Sequence, residues 1–309
     1  MAMDQLQDKN TASFDVVLGF DMETDIGSYT TNYDGVQKGT DPILHILKKH
    51  NIDATFYWTG HAAMHNPGMV KKVKDAGYET GCHGLLHETL GDPIFPLPNN
   101  WPILPYEVEG RLKDATRIIE EITGEQPVSF RCPRLWGSTQ VVNVLESLGY
   151  ISDASLPLYY YGEPVVPYHP SANDWTKKGA MNIVEIPNFC DLEMESKDPY
   201  QRDRDQWPLF RTQSANAVME KAESFLRYVS GKGERPVLCF YFHPWEFYPM
   251  PQGAMDFGEC MVTPLPFIVE NCGPQAVREL DALCGLLLHR GGRFMNAGQL
   301  ARECCNQQY

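Results

Sequence analysis

The sequence predicts an α/β fold, a deformed (β/α) barrel with seven or eight parallel strands and long loops at the carboxyl-end rim. Strand-like and helix-like segments alternate along the chain, which is typical of a parallel sheet with crossover helices. Each residue with candidate chemistry follows a predicted strand, and in a barrel the carboxyl ends of the strands form one rim. A doubly wound open sheet is the alternative. We expect a single domain that spans residues 1–309.

The first elements of the chain are the most regular. Phe14–Phe20 is an apolar run typical of a buried strand, and Pro42–His50 is a helix with proline at its first position. Residues 106–123 have apolar side chains at helical spacing, and Gly124 ends this helix. The other predicted elements are strands at 54–58, 78–82, 128–131, 150–152, 183–186, 237–242 and 293–295, and helices at 67–76, 140–148, 215–229, 274–289 and 297–303.

Three irregular segments interrupt this alternation. Pro93–Pro105 is rich in proline, Leu156–Arg211 is long and aromatic with one predicted strand inside, and Pro244–Gly273 has no regular pattern. Each of them follows a predicted strand. We therefore expect them to be rim loops, where barrel enzymes place their substrate contacts.

The composition limits the classes of function. A net charge of −14 without a run of Lys and Arg argues against nucleic acid and against an anionic membrane surface as partners. No stretch reaches the length of a membrane span. The nine cysteines are an odd number without CxxC spacing, and Met1–Lys9 is polar, so we expect free thiols and a cytoplasmic location. Homo-oligomers are frequent among cytoplasmic enzymes, and we expect one here.

The strand ends carry the parts of a metal site. His83 and His87 follow the strand at 78–82, and Asp21 and Glu23 follow the first strand. Two imidazoles and a carboxylate form an open zinc-type site, in which water fills the remaining position. Acidic residues after strands are often turn formers, and histidines four apart are often coincidental. The shared rim favours the functional interpretation.

Four further residues follow predicted strands on the same rim. They are Arg131, Arg134, Asp153 and His243. Each also has a structural interpretation: an ion pair for the arginines, a turn cap for Asp153 and a hydrogen-bonded core histidine for His243. Their placement with the carboxylates and the histidine pair indicates a single site.

These residues lie in an ordered set of motifs. The set comprises Phe20-Asp-Met-Glu23, His83-Gly-Leu-Leu-His87, Arg131-Cys-Pro-Arg-Leu-Trp-Gly137, Asp153-Ala-Ser-Leu156 and Cys239-Phe-Tyr-Phe-His243. In this order they resemble the five motifs of the NodB-homology polysaccharide deacetylases. The resemblance is greatest to the subgroup that includes Helicobacter peptidoglycan deacetylase and the PuuE-type allantoinases.

The resemblance implies a role for each motif residue. It implies that Asp21 is the general base, that Glu23, His83 and His87 are metal ligands, that His243 is the general acid, and that Arg131 and Asp153 orient Asp21 and His243. One position departs from the family pattern. The second carboxylate is Glu23, two positions after Asp21, where the family usually has aspartate directly after the first. Glutamate is one methylene longer, which shifts the ion or lowers its affinity.

The predicted function is metal-dependent hydrolysis of an amide bond. We expect N-deacetylation of a small or carbohydrate-like substrate, with one divalent ion. Zn²⁺ is the expected ion, although Co²⁺, Ni²⁺, Mn²⁺ and Fe²⁺ also suit two nitrogens and one oxygen. The alternatives are ring opening of a cyclic amide or imide, as in allantoin, and a non-catalytic ligand-binding barrel. We assign substrate binding to Arg134, Trp136, Trp245 and Tyr160.

Overall fold

Parallel strands form a barrel in the computed structural model of the chain, which describes residues 13–97 and 100–306. The segment Met1–Lys9, on which the expected cytoplasmic location is partly based, lies outside the described residues. Two positions of the predicted 93–105 loop also lie outside them. The strands are Phe14–Met22 (β1), Thr55–Trp58 (β2), Glu79–Cys82 (β3), Ser129–Phe130 (β4), Ser152–Asp153 (β5), Pro170–Ser171 (β6), Asp174–Lys178 (β7), Val184–Glu185 (β8), Val237–Phe242 (β9), Met255–Asp256 (β10), Met261–Val262 (β11) and Gly292–Phe294 (β12).

The strand order around the barrel is β9-β1-β2-β3-β4-β5-β8, and all neighbours in it are parallel. One edge of β1 pairs with β9. The other edge pairs with β12 at Phe14–Val16 and with β2 at Gly19–Met22. An isolated parallel bridge between Asn188 and Cys239 links the two ends of this path. The predicted deformed barrel of parallel strands is confirmed.

Helices connect the strands and pack on the outside of the barrel. They are Thr40–His50 (α1), Gly60–His65 (α2), Pro67–Asp75 (α3), Val108–Thr123 (α4), Thr139–Ser147 (α5), Leu158–Tyr161 (α6), Leu209–Thr212 (α7), Ala215–Gly231 (α8), Pro266–Val269 (α9), Pro274–His289 (α10) and Ala297–Asn306 (α11). The apolar spacing predicted for 106–123 is the buried face of α4, which includes Leu112, Ala115 and Ile119. Within the described residues, none of these helices has the length and apolarity that crossing a membrane requires.

The long loops contain more regular structure than the sequence predicts. The 156–211 segment holds α6, the β6–β7 hairpin, β8 and α7, where one strand is expected. The 244–273 segment holds the β10–β11 hairpin and α9. Strands of two residues and helices of four are shorter than a hydrophobic repeat, so periodicity does not detect them. The prediction also lacks α2, whose start is capped by the side chain of Thr59.

Two acidic residues face each other inside the barrel. Asp153 of β5 and Glu185 of β8 are neighbours in the parallel register, and both are fully buried. Glu185 Oε1 accepts the backbone N–H groups of Ser155 and Leu156 at 3.0 and 2.7 Å. Burial raises the pKa of Asp153 to about 6, and burial together with the charge of Asp153 raises the pKa of Glu185 well above its usual value. The two carboxyl groups can therefore lie side by side only when they share a proton, because two buried negative charges would repel each other.

The segment that follows β9 packs closely against a helical turn that precedes α1. Gly35–Gly39 is a turn of π-helix, and Pro244–Phe247 is a turn of 3₁₀-helix. A Cβ atom on Gly39 would lie 2.0 Å from the carbonyl oxygen of Pro244. Backbones approach this closely only where a side chain is absent. The glycine therefore sets the position of the segment that begins directly after His243.

Replacing Gly39 with alanine should destabilise the fold by about 1–3 kcal/mol, the usual cost of overpacking. The new methyl group meets backbone atoms of Pro244, which cannot rotate away as a side-chain end can. The matched control is Gly110→Ala in α4, at an exposed position with no atom within 4 Å of the added carbon. That change should stabilise the helix by about 0.5–1 kcal/mol. Urea denaturation measures both, and equal effects would contradict the packing role of Gly39.

Glu185→Gln should make stability less dependent on pH. The folded protein keeps the Glu185 proton to a higher pH than the unfolded chain does, so the wild type loses stability as the pH rises above about 4.3, the ordinary pKa of glutamate. Glutamine keeps the acceptor oxygen and offers Asp153 an N–H at every pH. The Tm of the variant should therefore rise relative to wild type across this range. Exposed Glu120→Gln is the control, and an equally flat response at both positions would argue against the shared proton.

Candidate active site

The predicted site residues meet at one rim of the barrel. Asp21 is the penultimate residue of β1 and Glu23 follows that strand, while His83, Arg131 and His243 directly follow β3, β4 and β9. Parallel strands end on the same side of a barrel, so residues distant in sequence become neighbours there. All except His243 are buried, and His243 is partly buried.

Arg131 holds the candidate base from inside the barrel. Its Nη1 donates to Asp21 Oδ1 at 2.9 Å. Its Nε donates to the carbonyl oxygen of Ala154 at 3.2 Å, and its Nη2 donates to that of Phe240 at 3.1 Å. The guanidinium is thus bonded to groups on or directly after three strands, β1, β5 and β9, as a fully buried charge requires.

Two residues on neighbouring strands accommodate this guanidinium. A Cβ atom on Gly19 of β1 would lie 2.1 Å from Arg131 Nη1, so the glycine leaves the space that the guanidinium fills. Tyr57 of β2 lies beneath it, with its ring centroid 4.5 Å from Cζ. Such a cation–π contact adds attraction where water is excluded.

Glu23, His83 and His87 bring three candidate ligand atoms within 4.8 Å of one another. Glu23 Oε2 lies 3.6 Å from His83 Nε2 and 2.6 Å from His87 Nε2. His83 Nδ1 lies 2.7 Å from the carbonyl oxygen of Arg131, which only accepts, so this nitrogen carries the proton. His83 Nε2 therefore presents a lone pair, and it has no hydrogen-bond partner among the described residues.

The chemistry of this donor set fits a divalent ion. Catalytic zinc sites use two imidazoles and a carboxylate, and a bond from the second ring nitrogen to a carbonyl orients such a ligand. Burial lowers the pKa of His87 to about 4 against the opposing effect of Glu23, so the ring is neutral near neutral pH, as a ligand must be. Ligands of a tetrahedral zinc ion lie about 3.3 Å apart. The contact between Glu23 and His87 is shorter and must open to admit an ion.

The backbone around the second histidine has an uncommon conformation. His87 has a φ of 58° and Arg134 a φ of 60°, both in the left-handed region. Arg134 Nη1 donates to the carbonyl oxygen of His87 at 3.1 Å, so this predicted substrate residue contacts the histidine loop. Strained backbone persists where its surroundings hold it and is concentrated at functional sites.

His243 lies across the site from the histidine pair. Its Nε2 is 4.0 Å from Glu23 Oε1, and its Nδ1 is 3.0 Å from Glu246 Oε1. Burial alone would lower the pKa of His243, but the hydrogen bond to Glu246 and the charge of Glu23 raise it above its ordinary value. The ring is therefore suited to donate a proton.

The prediction that Asp153 orients His243 is wrong. Asp153 lies deeper in the barrel beside Glu185, and among the described residues Glu246 is the carboxylate bonded to His243. The sequence does contain a signal for Glu246. It is the third residue after His243, at capping-box spacing, and its Oε1 also accepts the backbone N–H of His243 at 2.9 Å.

The predicted substrate residues other than Arg134 have different environments. Trp136 is fully buried and packs edge-on against Phe95, so the prediction for Trp136 is wrong. Its large apolar ring is stabilised more by burial than by contact with a soluble ligand. Trp245 is only 2% exposed, and its Nε1 lies 3.4 Å from Glu23 Oε1, so it supports that carboxylate. Tyr160 is 41% exposed and is open to contact from outside.

Comparison with known proteins identifies proteins similar to this chain. Residues 9–152 match the family model described as polysaccharide deacetylase, and this segment carries the site residues from Asp21 to Arg131. The chain is 29% identical over 163 residues to a peptidoglycan deacetylase of Helicobacter pylori, which covers 48% of this chain and 52% of the relative. The chain spans about half the length of the curated relatives it matches.

Solved structures with the same fold cover almost the whole chain. A probable polysaccharide deacetylase of Pseudomonas aeruginosa aligns with a TM-score of 0.64 at 15% identity, over 96% of this chain and 92% of that one. PuuE allantoinase aligns with a TM-score of 0.63 at the same identity and coverage. The resemblance indicated by the ordered motifs is thus confirmed: residues 9–152 match the polysaccharide deacetylase family.

Proposed function

We propose that the chain is a metal-dependent hydrolase of an amide carbon–nitrogen bond, and that it removes an N-acetyl group from a carbohydrate-like substrate. The observation that carries the proposal is the meeting of three parts on one rim: the Asp21–Arg131 pair, the set of three ligand atoms and the His243–Glu246 pair. Amide hydrolysis needs a base, an electrophilic centre and an acid. The name of the H. pylori relative supports deacetylation.

Each part has a distinct role in the proposed reaction. A Zn²⁺ ion held by Glu23, His83 and His87 would supply Lewis acidity towards the amide carbonyl and lower the pKa of water. Asp21, fixed by Arg131, accepts the proton of the attacking water. His243 donates a proton from Nε2 to the leaving nitrogen, and its Nδ1 stays bonded to Glu246.

We also propose that the chain acts in the cytoplasm, as a single barrel domain and as a homo-oligomer. All nine cysteines are free, which supports a reducing compartment. Trp101 and Tyr106 are 82% and 80% exposed, and apolar area of this kind supports contact between copies. Gel filtration of the purified protein measures the oligomeric state.

Removing one ligand should release the ion. Zn²⁺-loaded protein should keep about one ion per chain through dialysis, and His83→Gln should keep less than about a tenth of that, because tight binding needs all three ligands. The matched control is His65→Gln, at an exposed histidine that follows His61 with the same four-residue spacing. Elemental analysis measures both. Equal metal content in the two variants would exclude His83 as a ligand.

Asp21→Asn should lower kcat by about 10²–10⁴-fold, the usual contribution of general acid–base catalysis. Asparagine keeps an oxygen acceptor for Arg131, so the fold and the Zn²⁺ content should be retained. Acetate release from N-acetylglucosamine oligomers measures the rate. Asp41→Asn, at an exposed carboxylate paired with Lys72, should retain full activity.

Measuring acetate release beside ring opening of allantoin distinguishes deacetylation from the two alternative functions. Ring-opened product from allantoin without acetate release would replace deacetylation with hydrolysis of a cyclic amide. If Zn²⁺-loaded wild-type protein converts neither substrate, the hydrolase proposal fails and a ligand-binding barrel takes its place.

A further inference from the structure

A fully buried arginine, Arg211, lies behind the candidate acid. Its Nε donates to Glu246 Oε2 at 2.6 Å. Its other bonds go to carbonyl oxygens of one segment: Nη1 donates to Phe267 and Glu270 at 3.0 and 2.6 Å, and Nη2 donates to Ile268 at 2.7 Å. The side chains of Arg211 and Glu246 both have 0% exposure, so water does not screen their charges.

Both carboxylate oxygens of Glu246 accept hydrogen bonds. Oε1 accepts the backbone N–H of His243 at 2.9 Å and Trp207 Nε1 at 3.0 Å, and it lies 3.0 Å from His243 Nδ1. Oε2 is bonded to Arg211. An ionised carboxylate only accepts hydrogen bonds, so His243 Nδ1 carries a proton in this arrangement. The other ring nitrogen, Nε2, is then directed towards Glu23, 4.0 Å away.

Two tryptophans complete the surroundings of His243. The ring of Trp245 stacks on the imidazole with centroids 5.0 Å apart, and the ring of Trp207 meets it at 5.6 Å and 75°. The guanidinium of Arg211 lies 5.8 Å from the centroid of each tryptophan ring. Arg211 therefore lies beside both of these tryptophans and is bonded to Glu246, which holds the imidazole.

We propose that Glu246 and Arg211 are positioning residues for His243. Glu246 fixes the imidazole with Nδ1 protonated and Nε2 facing the ligand set, and Arg211 holds Glu246 in that orientation. This inference rests on the proposed function, in which His243 donates the proton. It also makes the segment 266–270 part of the site, because the carbonyl oxygens of that segment hold Arg211 in place.

A buried ion pair with only a structural role is the competing explanation. Removing one partner of such a pair destabilises any fold, because the other charge is left unpaired. A loss of stability therefore does not distinguish the two explanations. The deciding measurements are the separate effects on kcat and KM, and the protonation state of each ring nitrogen of His243.

Glu246→Gln should lower kcat by about 10²-fold and change KM by less than about twofold, since Glu246 acts through His243. Arg211→Lys should lower kcat by about tenfold, because Glu246 remains but is held less firmly. The double variant should be about as slow as Glu246→Gln alone, because both changes act through one imidazole.

The control is Asp15→Asn, at a 3%-exposed carboxylate paired with Arg293 at the amino end of β1. It should lower the Tm and leave kcat unchanged.

Nitrogen-15 NMR of Zn²⁺-loaded protein gives a readout that needs no turnover. At a pH where the ring is neutral, His243, identified by comparison with His243→Gln, should be protonated at Nδ1. Glu246→Gln should shift the proton towards Nε2, because the glutamine amide can donate to Nδ1. If that variant does not fold, Arg211→Lys is measured in its place, with partial loss of the Nδ1 form expected.

Two results would overturn this inference: a wild-type ring protonated at Nε2, or a Glu246→Gln variant with unchanged protonation and unchanged kcat. If Zn²⁺-loaded wild type neither releases acetate nor opens the ring of allantoin, the hydrolase proposal fails by itself. The NMR result then decides whether Glu246 and Arg211 position His243.

Discussion

The guanidinium of Arg131 lies inside the barrel and makes bonds that no solvent competes for. It donates to Asp21 at the end of β1 and to carbonyl oxygens at β5 and β9, while its own carbonyl oxygen accepts from His83. One residue thus orients both a candidate base and a candidate ligand. A charge at this depth is tolerated only when its donors are satisfied, so these bonds and the barrel depend on each other. Gly19 is the corresponding requirement on β1, since any side chain there would occupy the space of the guanidinium.

The site is flanked by two buried arginine–carboxylate pairs, Arg131–Asp21 and Arg211–Glu246. In each pair the arginine stays charged at any ordinary pH and fixes the carboxylate by hydrogen bonds. In the proposed reaction the first carboxylate accepts a proton directly, while the second holds an imidazole. Such pairs contribute little net stability, because desolvation offsets their attraction. Their value lies in fixing the orientation of side chains that are shielded from water.

The sequence predicts the long elements and the membership of the rim, because both depend on local signals. Apolar runs and glycine stops define the strands and helices, and any polar residue after a strand falls on the same edge. Which of these residues contact each other depends on strand order and register, and no local sequence pattern predicts either. Asp153 is the clearest case: the β5–β8 register turns it towards Glu185 instead of His243. The sequence does not predict Glu246 as a site residue, because it lies in a turn that begins with proline, where acidic residues are ordinarily caps.

Loops at the mouth of a barrel are usually the parts that vary most between related proteins. The carbonyl oxygens of residues 267–270 are an exception, since Arg211 has no other described partners for those N–H groups. An insertion or deletion within this stretch would leave a buried cation without acceptors. The β10–β11 hairpin lies just before this stretch and, among the described residues, makes no hydrogen bond to Arg211. Insertions and deletions in this chain's descendants should therefore accumulate in the hairpin. The length of residues 267–270, a few positions away, should stay fixed.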